Sequence, residues 1–195
     1  WKQAVIGQLN KVQHACNLYY TEPQAKLAQL LCEKTGAKKV FFSNSGAEAN
    51  ECAIKAARKY SEDKYGAGRY EIVTPKNSFH RRTLATLPAA GYYAMPNHFA
   101  TFAAGFSYAD PTYEGVRAMC SKRTCAVMME LVQGESGVNV LDIEEVEKIA
   151  LFCKNNDILL IIDEVQTGNG RTGRLYAYEH YKIKPDVVTT AKGLA

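Results

Sequence analysis

The chain has no Cys-x-x-Cys pair, although it holds six cysteines, at positions 16, 32, 52, 120, 125 and 153. Irregular spacing and the lack of a nearby histidine pair argue against a zinc site, and no metal is expected. Several of these cysteines lie in apolar runs such as Cys125-Ala126-Val127-Met128-Met129, which reads as free thiols buried in a protein of a reducing compartment. No apolar stretch is long enough to cross a bilayer and no secretory leader opens the sequence, so the cytoplasm is the expected location. A block of Lys and Arg with interleaved aromatics is also missing. The net charge of +4 is spread along the chain, which gives nucleic-acid binding no support. There is no repeat, linker or low-complexity tract, no G-x-G-x-x-G and no Walker loop. An initiating methionine is missing too. The sequence runs from Trp1 to Ala195 without a tail-like composition at either end, and reads as a piece of something longer.

What is present is ordinary globular material, 47% hydrophobic and 23% charged, enough for one buried core. Helix and strand patterns alternate. Thr21 and Gln24 stand at capping-box spacing with Pro23 in the first turn; Leu27, Leu30 and Leu31 follow on one face, and Gly36 is the stop signal. Residues 39–43 read as a short strand and 47–60 as a helix. Strands are then expected at 70–74, near 105–106, at 125–131, 158–162 and 186–190, with helical stretches within 78–108 and at 112–121, 143–155 and 175–181. The run Ile158 to Ile162 is wholly apolar, as in a strand buried on both faces of a parallel sheet. Such alternation predicts an α/β domain, its mainly parallel sheet sandwiched by helices, with ligands bound beyond the carboxyl ends of the strands.

Four of those ends carry chemistry. Ser45, Gly46 and Ala47 form a small turn between a strand and a helix, where free N–H groups and the helix dipole suit an anion; the same turn also serves as an ordinary cap. Asp163 follows an apolar strand, where a carboxylate needs a cationic partner, either a protonated ring nitrogen or a structural ion pair. Lys192 ends the run from Val187, and a lysine in a semi-apolar pocket there becomes nucleophilic towards an aldehyde; elsewhere it is a solvated surface residue. Phe79-His80 offers an aromatic face for a flat ring, or simple packing. Taken together, an anion nest, an acid, an amine and an aromatic face specify a site for pyridoxal 5′-phosphate.

Ser45-Gly46-Ala47-Glu48-Ala49-Asn50-Glu51, Phe79-His80 with Arg82-Thr83, Val132-Gln133-Gly134-Glu135, Asp163-Glu164-Val165-Gln166-Thr167-Gly168 through Gly170-Arg171-Thr172-Gly173, and Thr190-Ala191-Lys192-Gly193 occur in one order along the chain. That order resembles the class III, fold type I aminotransferases of the ornithine/acetylornithine type, over the whole chain. The resemblance implies a helical segment at 1–36 leading into a pyridoxal-phosphate-binding large domain at 37–195, truncated after the lysine. It implies transamination between an ω-amine donor such as N2-acetylornithine and 2-oxoglutarate, in arginine biosynthesis, by a homodimer. Donors such as ornithine, 4-aminobutyrate or succinylornithine, and the aminomutase reaction of glutamate-1-semialdehyde, stay open. By the same resemblance Lys192 carries the cofactor as a Schiff base and moves the proton, Asp163 partners the ring nitrogen, and Gln166 bonds the ring oxygen. Ser45, Gly46 and Ala47 hold the phosphate, Phe79 stacks with His80 beside it, and Arg82, Glu135 and Tyr20 contact substrate. Family members usually have glycine where Arg81 stands, proline at Leu131 and glycine at Ser136.

Overall fold

A computed structural model describes residues 1–16, 18–91 and 101–194. The chain divides into two compact units, Trp1–Phe42 and Ser43–Ala195. In the first, α1 spans Lys2–Leu9 and α2 spans Glu22–Thr35. Pro23 sits in the first turn of α2 and Gly36 closes it with a left-handed φ of 71°. The expected capping box does not form: Thr21 is extended at the N-cap but its side chain makes no cap hydrogen bond. Residues 39–43 are not a strand either. Phe41 is exposed, and among the described residues no strand pairs with this segment, so its β-propensity has no ladder to join.

In the second unit α3 spans Gly46–Tyr65, β1 Glu71–Pro75, α4 Thr86–Ala89, β2 Phe106–Ala109, α5 Tyr113–Met119 and β3 Thr124–Met129. There follow β4 Val132–Gln133, β5 Asn139–Val140, α6 Ile143–Asn155, β6 Leu159–Asp163 and β7 Val187–Thr189. The main sheet has the order β2-β1-β3-β6-β7 and every described pairing in it is parallel. A two-residue antiparallel hairpin, β4 with β5, stands apart. The helix expected at 175–181 is a 3-10 turn, Ala177–His180, and a second such turn, Lys192–Leu194, follows β7.

Alternate residues of the central strands serve two cores. Ala53, Ile54 and Ala57 of α3 pack on Ile72, Ala126, Met128 and Ile161. On the other face Val116 of α5 and Val146, Ile149 and Cys153 of α6 pack on Val73, Val127, Leu160 and Ile162. Burying both faces is what the apolar run of β6 required. Because the strands run parallel, the ends of β1, β3, β6 and β7 open on one edge, where Asp163 is in register with Thr189. Helix α3 starts there with Ser45 as its cap, accepting from Glu48 N at 3.2 Å.

Candidate active site

Asp163 is the last residue of β6 and only 2% exposed. Asn50, one turn into α3, donates from Nδ2 to Asp163 Oδ2 at 2.8 Å and to the His80 carbonyl at 3.1 Å. His80 Nδ1 lies 2.9 Å from the same Oδ2, and Val165 N donates to Oδ1 at 3.0 Å. With the acid ionised, Nδ1 must be the protonated nitrogen of His80. Burial works to raise the Asp163 pKa. The hydrogen bond from His80, the charges of His80 and Arg81 and the Asn50 amide outweigh it, so the net direction is down and the carboxylate is kept ionised.

Phe79 is 9% exposed, and its backbone N–H donates to Glu130 Oε2 at 2.8 Å. The guanidinium carbons of Arg81 and Arg82 each lie 5.5 Å from its ring centroid. Glu130, directly after β3, is buried; burial foremost, and then the nearby Asp163 charge, pushes its pKa up to about 7 against His80, the Phe79 amide and Arg81. Gly46 is buried against Val165 and Arg81: a Cβ there would stand 2.6 Å from Val165 Cγ1 and 3.0 Å from Arg81 Nε. Ala47 follows in the first turn, where backbone N–H groups have no partner within the helix.

A cavity of about 520 Å³ opens beside this cluster, lined by Val165, Gln166, Lys192, Gly134 and Arg171 among others. Lys192 Nζ hydrogen-bonds Gln166 Oε1. Gly134 makes room for that glutamine, since a Cβ there would lie 2.2 Å from Gln166 Nε2. Lys192 lines this cavity and is solvent-exposed there, where the chain has left the sheet at β7 and turned at a φ of 49°. Thus Gly46, Phe79, His80, Arg81 and Asp163 form one cluster, and Val165 joins it to the cavity that holds Gln166 and Lys192. His80 stands behind Asp163, so it touches the acid and orients it. Arg82 and Glu135 are exposed, Glu135 in the β4–β5 connection. Tyr20 belongs to the other unit, where it is fully exposed.

Reading the residues missed three buried polar groups. Glu130 and Glu164 lie at the ends of β3 and β6 beside residues that were noticed. Asn50 sits four residues after Gly46, a helical spacing that places both on one side of α3, and that spacing was the available signal.

This donor set fits pyridoxal phosphate. An ionised carboxylate has about four acceptor positions. Asn50, His80 and Val165 account for three at Asp163, leaving one on Oδ1 for a cationic partner. Gly46 lets the start of α3 pack closely on Val165 and Arg81, and the free backbone amides of that first turn suit an anion.

Residues 2–195 match the family described as aminotransferase class-III. The chain is 52% identical over 197 residues to an acetylornithine aminotransferase of Haemophilus ducreyi, covering 100% of this chain and 50% of that protein. It is 47% identical to the acetylornithine aminotransferase of Caldanaerobacter subterraneus, over 98% of this chain and 49% of that one. The solved N-acetylornithine aminotransferase of Stenotrophomonas maltophilia superposes with a TM-score of 0.83 at 34% identity, over 98% of this chain and 48% of that structure. The chain therefore spans about half the length of the relatives it matches. Similarity across its whole length makes this chain a member of the class III aminotransferases.

Proposed function

We propose that the protein containing this chain is a pyridoxal-phosphate-dependent aminotransferase that moves the ω-amino group of N2-acetylornithine to 2-oxoglutarate, as a step of arginine biosynthesis. Class III aminotransferases depend on this cofactor, and the relatives above carry the acetylornithine name. The observation that carries the reading is Asp163: a buried carboxylate, held ionised by His80 and Asn50, at the strand end beside the Gly46 turn. In this reading residues 37–195 are the cofactor-binding domain and 1–36 a helical segment leading into it. The protein acts in the cytoplasm as a homodimer. No helix among the described residues is long and apolar enough to cross a membrane.

The residues divide the work. Ser45, Gly46 and Ala47 would take the cofactor's phosphate at the start of α3, and Phe79 would pack against its ring. Asp163 would face the ring nitrogen, oriented by Asn50 and His80, while Gln166 would bond the ring oxygen. Lys192 would hold the aldehyde carbon. When bound, the cofactor supplies an electron sink for the charge left at a substrate carbon as its proton departs. As a free amine Lys192 would take that proton and return it, and Gln166, whose Oε1 accepts from Lys192 Nζ, would steady the amine. Arg82 would grip a substrate carboxylate through its planar fork, and Glu135 would stand beside the substrate and pair with a cation there.

Turnover of the full-length protein with acetylornithine, ornithine, succinylornithine or 4-aminobutyrate, each with 2-oxoglutarate, tests the substrate. Acetylornithine is expected to give the highest kcat/KM. Turnover of an amino aldehyde with no keto acid present would replace this reading by the aminomutase.

A further inference from the structure

Arg81 has a left-handed backbone, φ 93°, that residues with side chains rarely adopt. That conformation turns its guanidinium inward, where the side chain is 14% exposed. Its Nη2 lies 3.8 Å from Asp163 Oδ1, its Nε borders Gly46, its Nη1 donates to the Phe79 carbonyl at 3.3 Å, and its carbon stands 5.5 Å from the Phe79 centroid. One flat cation therefore touches the acid, the helix turn and the aromatic face at the same time. The one acceptor position of Asp163 left by Asn50, His80 and Val165 is on Oδ1, and Arg81 is the cation beside it. It is poorly seated there. A gap of 3.8 Å is too long for a hydrogen bond, and Nη2 is buried with no hydrogen-bond partner.

We propose that Arg81 is a built-in rival of the cofactor: its guanidinium takes the place of the pyridine ring against Asp163, and the cofactor must displace it to bind. The inference rests on the reading given under Proposed function. Two cations cannot share one Oδ1 position in a buried site, so each loading event includes expulsion of the guanidinium from among Asp163, Gly46 and Phe79. The loose seat sets the size of the effect, a modest handicap and not a block.

The test uses full-length protein stripped of cofactor, with Arg81→Gly and Arg81→Asn as variants, both residue types that accept positive φ. Strain relieved in a variant is relieved equally with and without ligand and cancels in a dissociation constant, whereas clearing the ring position does not. Pyridoxal phosphate is titrated against each, read by quenching of protein fluorescence and by the absorbance of the bound cofactor. Both variants should bind roughly ten-fold more tightly than wild type. Equal affinity would overturn the proposal while leaving the aminotransferase reading intact. Weaker binding by the variants would also overturn it, since the guanidinium would then be helping the Gly46 turn hold the phosphate. Failure of all three proteins to bind would remove both readings together.

Discussion

Asn50 Nδ2 reaches Asp163 Oδ2 at 2.8 Å and the His80 carbonyl at 3.1 Å, so one amide ties α3, the segment after β1 and the end of β6 together. None of these segments is a sequence neighbour of another. The bond ties the position of the start of α3 to the acid, and Asn50 is fully buried.

Truncating that amide, Asn50→Ala, leaves Asp163 and the His80 carbonyl each short of a donor. Stability should fall by about 2–3 kcal/mol, the usual cost of stranding buried acceptors. Urea unfolding of the variant reads the loss directly, and an unchanged midpoint would show that water replaces the amide without penalty.

Gly46→Ala would drive a methyl into Val165 at 2.6 Å. Overpacking of this kind costs about 1–3 kcal/mol and would tilt the start of α3. Pairing it with Val165→Ala should recover most of the loss, because the second change removes the atom that is struck. Additive penalties in the double variant would place the cause elsewhere.

Glu130 is pushed up to about 7 from an ordinary value of 4.5, so the folded protein binds a proton there that the unfolded chain releases. Its stability contribution is full below about pH 4.5 and is lost as pH rises through 7, a total of about 3 kcal/mol. Glu130→Gln removes the titration and can still accept from Phe79 N. The variant should therefore gain on wild type steadily between about pH 5 and pH 7 and then level off. Parallel stability curves over that range would mean that Glu130 titrates normally.

Lys192→Ala in the full-length protein should abolish the borohydride-trapped pyridoxyl group on the peptide around residue 192. Mass spectrometry decides this, and a surviving adduct in the variant would move the attachment to another lysine.

Much of this was legible before any fold was known. The apolar run of 158–162 demanded burial on both faces and received it, and Asp163, the first polar residue beyond it, marks the working edge. Local pattern failed where a partner decides the outcome. Residues 39–43 have the β-propensity of a strand, but propensity supplies no ladder. Helix α3 runs past residue 60 to Tyr65 through a polar stretch without an apolar period, where Lys59 pairs with Asp63 and Lys64 with Asp157. The hairpin of β4 and β5 has two residues a side, too few for alternation to register. Asn50 and Glu130 look like surface residues until their acceptors and donors are placed. Arg81 was visible as a bulky residue where the family resemblance implies glycine; only the backbone shows that this position has a positive φ, which suits glycine.

The pleat of β6 sends two neighbouring acids in opposite directions. Asp163 points with Ile161 towards α3, whereas Glu164 meets Thr167 Oγ1 and the Tyr178 amide on the side of Ile162. A slip of one residue between β6 and its neighbours would exchange them, handing the position against Asn50 and His80 to a glutamate and leaving the 164–168 turn unpinned. Chain alignment at Met129–Ile162 and Asp163–Thr189 thus selects which carboxylate is presented to Asn50 and which to Thr167.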